Sequence, residues 1–181
     1  LVKARFLSRK KKVNHFYQDA SVVNRKSTEW LDTIEGQPFF LFQHYMDPHD
    51  PYFAHPYDGR CVARVSTPDP PPEKAEEMRM LYDQDIYYMD QHFGMLMDYL
   101  KSRGLYESSL IIFTADHGEE FYDHGGWWHG TALFEVQIRV PLIVKLPGNR
   151  NAGRTDSRLI RSIDVAPFII NAAGGEKPES M

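Results

Sequence analysis

Leu110-Ile111-Ile112-Phe113-Thr114-Ala115-Asp116-His117-Gly118-Glu119 is an apolar run that delivers the chain into a cluster of ligand-type side chains. The run is too short for a helix of ordinary length and is rich in branched and aromatic residues, so a buried strand is predicted over 110–114. Directly after it, a glycine-containing turn presents a carboxylate and an imidazole together, where a cation can sit. Upstream, residues 73–103 read as the longest helix. Met78, Leu81, Tyr82, Ile86, Met89, Phe93, Leu96 and Leu100 step round one face at intervals of three and four, Pro72 opens the segment and Gly104 closes it. Residues 38–46 are nearly continuously apolar and aromatic, which suits a strand buried on both faces. Residues 20–35 carry Val23, Trp30, Leu31 and Ile34 at helical spacing, with Asp19 or Ser21 as N-cap and Gly36 as stop. Downstream, a strand is expected over 140–146, and Asp164 is expected to cap a helix over 165–173 that Gly174 ends. Strands separated by long helices predict an α/β sandwich with a mostly parallel sheet flanked by helices. In such sheets ligands gather beyond the carboxyl ends of the strands, and both polar clusters of the chain, 47–52 and 116–129, follow predicted strands.

The 181 residues are enough for one sizeable core, so one domain is expected over 1–181, with 1–19 an unassigned N-terminal segment. The 42% hydrophobic and 25% charged residues match an ordinary globular chain and argue against disorder. A net charge of -4 argues against a nucleic-acid partner, which requires a basic face. The run Arg9-Lys10-Lys11-Lys12 is the exception; it reads as a solvated face, with contact to an anionic partner as the alternative. Cys61 is the one cysteine, so no internal disulfide forms, and with no histidine beside it in sequence it reads as a packing or surface thiol. No stretch approaches the ~20 apolar residues of a membrane span. The chain opens on Leu1 without a signal-peptide pattern, and is expected to be a piece of a longer protein.

The density of candidate ligands is highest just past Asp116 and His117. Glu119, Glu120, Asp123, His124 and His129 follow within a dozen or so residues, interleaved with Gly118, Gly125, Gly126 and Gly130. A charged ligand explains that pattern on a permissive backbone better than a solvated loop does. His44, inside the apolar run, reads as a hydrogen-bonded core histidine. His49 stands between prolines on a loop and either faces a ligand or does not. His55 and His92 read as ordinary loop and helix-surface residues, and His15 carries no signal. Trp127 and Trp128 form a packed lid, an apolar wall that limits water in a pocket, or both. No G-x-S-x-G elbow, P-loop or paired C-x-x-C motif occurs.

Taken together, residues 110–119, Asp123-His124-Gly125, His129-Gly130-Thr131 and Arg139-Val140-Pro141-Leu142-Ile143-Val144 resemble the second signature half of the sulfatase family. Met46-Asp47-Pro48-His49-Asp50-Pro51-Tyr52 resembles that family's histidine-bearing loop, Tyr82-Asp83-Gln84-Asp85-Ile86 its preceding helix, and Ser162-Ile163-Asp164-Val165-Ala166-Pro167 the segment that follows. The resemblance implies an incomplete alkaline-phosphatase-like sandwich and a single divalent cation, usually calcium. It implies Asp116 and His117 as metal ligands, His49 as the histidine that contacts the sulfate group, and His129 where many members place a sulfate-binding lysine. It leaves the role of His124 open. A formylglycine nucleophile and two further acidic ligands would come from upstream of residue 1, since Ala63 and Val65 stand where a C-x-P-x-R motif at Cys61 needs proline and arginine. His49 and His129 are then the catalytic candidates, for charge stabilisation and leaving-group protonation. The implied activity is hydrolysis of a small-molecule or carbohydrate sulfate ester, with this piece alone inactive. The alternatives are a phosphodiesterase or phosphotransferase of the same superfamily, and a non-catalytic binding module. The alcohol, the oligomeric state and the compartment are left open, although such hydrolases are commonly exported.

Overall fold

A computed structural model describes residues 18–34, 36–176 and 178–179. The expectations for the Arg9 to Lys12 run and for His15 lie outside the described residues. In chain order the elements are α1 (Ala20–Leu31), β1 (Tyr52–Phe53), β2 (Cys61–Val62), α2 (Ala75–Ser102), β3 (Ile111–Thr114), β4 (Glu120–Phe121), β5 (Trp127–Trp128), α3 (Glu135–Ile138), β6 (Leu142–Lys145) and α4 (Val165–Ala172). The chain forms two compact units, Leu1–Arg103 with Glu120–Trp128, and Gly104–Glu119 with His129–Met181. None of the described helices is long and apolar enough to cross a membrane.

The first unit is built on α2. A 3-10 turn at Pro72–Lys74 leads into it, and Gly104 follows it with φ +68°, a left-handed conformation that favours glycine. The predicted stripe is buried at Met78, Leu81, Met89, Leu96 and Leu100, and Asp85 is buried among them. Tyr52, Ala54, Phe121, Trp127 and Trp128 pack with Met78 and Leu81 into one aromatic-rich cluster. Both tryptophans are therefore core residues, and the Trp128 indole N–H donates to the Pro68 carbonyl at 2.8 Å. Helix α1 is capped by Asp19, whose Oδ1 accepts the Ser21 and Val22 N–H groups at 3.0 and 3.2 Å. It ends at Leu31, earlier than the predicted residue 35.

Residues 38–46 correct two expectations. They pair in no ladder among the described residues, and exposure alternates along them, with Phe40 68% and Phe42 77% exposed. Period-two exposure belongs to a segment covered on one face, not on both. His44 falls on the open face, beside Phe42 at 6.1 Å between rings, and is not a core histidine.

In the second unit β3 and β6 pair antiparallel, with Ile111 opposite Lys145 and Thr114 opposite Leu142. The other ladders, β1 with β2 and β4 with β5, are antiparallel as well. The α/β character stands, but no parallel pair occurs among the described residues. Between β3 and β6 the described chain holds the short strands β4 and β5 and no helix longer than the four-residue α3, in place of a long crossover helix, and the return strand runs antiparallel. Lys145 ties the pair to the preceding turn. Its ammonium donates to the carbonyls of Tyr106, Glu107 and Ser109. Asp164 does not cap α4 with its side chain as expected. Its carboxylate accepts the Arg161 N–H at 3.0 Å and pairs with that guanidinium at 2.9 Å.

Candidate functional site

The second unit assembles a site where β3 ends. The Thr114 hydroxyl donates to the Pro141 carbonyl at 2.8 Å, fixing the strand end beside the approach to β6. Two residues on, Asp116 Oδ1 accepts the N–H of His117 at 3.1 Å. His117 Nδ1 lies 2.8 Å from the Gly118 carbonyl oxygen. That contact places the proton on Nδ1 and leaves Nε2 as the basic nitrogen, the arrangement of a metal-binding imidazole. Nε2 stands 3.8 Å from Asp116 Oδ1.

Gly118 has no room for a side chain. Its N–H donates to the Gln137 carbonyl at 2.7 Å, and a Cβ there would lie 2.1 Å from the Val136 carbonyl oxygen. The backbone of α3 therefore presses directly on the turn that carries Asp116 and His117. Gln137, itself buried, accepts the Gly130 N–H at 3.2 Å through its side-chain oxygen. One residue thus braces both ends of the site.

His129 completes it. Its Nδ1 lies 3.2 Å from each carboxylate oxygen of Glu119, whose side chain is only 3% exposed. The rings of His117 and His129 stack with centroids 3.8 Å apart at 24°. Asp116, His117, His129, Gly130 and Gln137 line one open cleft of about 290 Å³. The predicted Asp116, His117 and His129 are therefore brought together. Glu119 was one of many acidic residues in the sequence and Gln137 carried no signal there; only the fold shows that they support the histidines. Among the described residues no cluster of three or more His, Cys, Asp or Glu is arranged to hold a metal.

The remaining candidates belong to the first unit. His49 sits in a turn whose backbone closes from its N–H to the Met46 carbonyl at 3.1 Å. Its Nδ1 is 2.8 Å from the Asp50 carbonyl oxygen, so the proton again resides on Nδ1. Glu120 is 2% exposed and accepts the N–H groups of His124 and Gly126 at 3.1 and 3.2 Å, which makes it the organiser of the β4–β5 turn. Asp123 in that turn pairs with Arg79 at 2.8 Å. His55, read from sequence as an ordinary loop residue, is instead bonded to the buried Asp85 at 2.6 Å.

A sulfatase family model matches residues 4–175. The chain is 28% identical over 207 aligned residues to the multifunctional alkaline phosphatase superfamily protein PehA of Trinickia caryophylli, covering 91% of this chain and 40% of that protein. It is 31% identical over 100 residues to an N-acetylglucosamine-6-O-sulfatase of Bacteroides thetaiotaomicron, covering 55% of this chain and 18% of that enzyme. In fold it matches a protein solved with its substrate D-glucosamine-2-N,6-O-disulfate, at TM-score 0.69 and 17% identity, over 92% of this chain and 51% of that one. A phosphonate monoester hydrolase from Silicibacter pomeroyi matches at TM-score 0.65 and 24% identity, over 90% and 40%. The chain thus spans less than half of the length of these two curated relatives.

Proposed function

Because this chain belongs to the sulfatase family, we propose that it forms part of the active site of a metal-dependent sulfuric-ester hydrolase acting on a carbohydrate or other small-molecule sulfate ester. The observation that carries this reading is the cleft shared by Asp116, His117 and His129. Donors about 2.0–2.6 Å from a common cation stand roughly 3–4 Å apart, and Asp116 Oδ1 and His117 Nε2 are separated by 3.8 Å. With its Nδ1 proton held by the Gly118 carbonyl, His117 fits a ligand role. Asp116 and His117 would therefore hold part of the coordination sphere of a single divalent cation, calcium by family likeness, with the other ligands and a formylglycine nucleophile supplied by sequence outside these 181 residues. When bound, the cation supplies positive charge to the sulfuryl oxygens.

The chain's own side chains do the rest. Glu119, withdrawn from water, orients the His129 ring. When protonated, His129 stabilises negative charge on the sulfuryl group or gives its proton to the departing alcohol oxygen. His49, with its tautomer fixed by the Asp50 carbonyl, takes the other of these two roles. The sulfatase names among the relatives support the substrate class.

The test is turnover of 4-nitrophenyl sulfate by the intact protein. His129→Ala is expected to lower kcat by about 10²–10⁴-fold, the usual worth of a proton-transfer group. Wild-type turnover in that variant would remove His129 from the mechanism. Faster cleavage of bis(4-nitrophenyl) phosphate than of the sulfate would favour the phosphodiesterase alternative, and inertness toward both a binding module.

A further inference from the structure

The loop that carries His49 is gripped by one buried carboxylate. Asp85 lies in the middle of α2 at 1% exposure. Its Oδ2 accepts the Phe53 N–H at 3.0 Å and its Oδ1 lies 2.6 Å from His55 Nε2. Gln84 accepts the His55 N–H at 2.9 Å, and the His55 ring lies flat on Tyr88, centroids 4.3 Å apart at 11°. One face of α2 thus holds both the backbone and the side chain of residues 53–55. The other end of the loop is tied down too. Asp47 Oδ1 accepts the Ala20 N–H at 3.0 Å, and Asp50 Oδ2 accepts the Arg64 N–H at 3.1 Å. His49 lies between these anchors.

Packing alone does not account for Asp85. It stands one turn after Leu81 and one turn before Met89, both buried, at a position where the stripe calls for an apolar side chain. A polar carboxyl group there is costly to desolvate, and the contacts that offset the cost run to the loop. Hydrogen bonds are directional, so they fix a geometry where apolar packing would only hold a surface down.

We propose that Asp85 is a positioning residue: acting through Phe53 and His55, it fixes the 47–55 loop on α2 and with it the orientation of the His49 imidazole. This rests on the reading of His49 as a residue that meets the sulfate group. A purely structural staple would lower stability without acting through His49.

A double-mutant cycle in the intact protein, with 4-nitrophenyl sulfate as substrate, separates the two. Asp85→Asn is expected to lower kcat at least about tenfold while KM changes less than about twofold, as misplacement of a reacting group does. In a His49→Ala background the same change is expected to cost less than about twofold, because the residue it positions is gone. Where His49→Ala itself lowers kcat, losses that simply multiply, or wild-type kcat in Asp85→Asn, would overturn the clamp. His55→Gln, which keeps the Asp85 bond to Phe53, serves if Asp85→Asn does not fold. NMR of ¹³C-labelled histidine reads the same geometry without turnover. The His49 ring resonance is expected to shift in both variants, and an unmoved signal overturns the clamp. A shifted resonance with full turnover in His49→Ala would uphold the clamp and reject only the catalytic reading of His49.

Discussion

The first unit buries Tyr52, Met78, Leu81, Phe121, Trp127 and Trp128 in one cluster, whereas among the described residues of the second the buried ones are the polar Glu119 and Gln137. In the second unit the strand faces stay open, with Ile143 62% and Leu142 39% exposed. Its order comes from directional contacts instead: Gly118 to Gln137, Gln137 to Gly130, Glu119 to His129, Lys145 to its three carbonyls. Apolar burial sets how much stability a residue carries, while a braced polar site sets where side chains point. Substitutions in the two units should therefore fail in different ways.

The largest effect is expected in the aromatic core. Trp128→Ala should cost about 3–5 kcal/mol of stability in urea unfolding, and a loss under about 1 kcal/mol would contradict the burial contrast. Gly118→Ala comes next. Forcing a Cβ against the Val136 carbonyl should cost about 1–3 kcal/mol and, unlike a core change of equal cost, should lower turnover of the refolded protein at least about tenfold. Equal activity at saturating substrate would show that the Asp116–His117 turn tolerates displacement.

A third prediction concerns pH. Burial raises Asp85 to about 8, against the Phe53 N–H that lowers it, and raises Asp47 to about 6, against the Ala20 N–H. Both lie above the ordinary 3.8, so the native chain holds protons that the unfolded chain releases. Their contribution to stability is fully present below about pH 4 and is lost as the pH rises through about 6 and then about 8. Asp85→Asn should flatten the upper part of that fall in denaturation followed across the range; an unchanged profile would contradict the burial of Asp85 as a carboxyl. The smallest effect is expected on the strand face that is open in this 181-residue chain, where Ile143→Ala in the same chain should change stability by no more than about 0.5 kcal/mol.

Helix α2 and the Asp116–His117 turn were legible in the sequence for physical reasons. The α2 stripe, opened by Pro72 and closed by Gly104, has one helical solution, and a short apolar run ending in Asp-His-Gly puts those polar side chains at the end of a strand. Strand direction was not legible, since period and composition identify a strand but not its partner. The antiparallel pairing of β3 and β6, where a mostly parallel sheet was expected, is the case in point. The same holds for residues 38–46, whose apolar composition predicted burial on both faces while Phe40 and Phe42 are exposed. His55 was misread because its partner is distant in sequence. Yet the spacing from Leu81 to Met89 already places Asp85 on the buried face, and a carboxylate there demands a partner. Glu119 and Gln137 could not be singled out, because their roles depend on contacts that only the folded loops create.

Calcium titration of the intact protein by calorimetry, wild type against Asp116→Ala, bears most directly on the proposed cation-and-oxyanion cleft. Stoichiometric binding that Asp116→Ala weakens by at least about a hundredfold is the expected result. Equal affinity in the two proteins would contradict it.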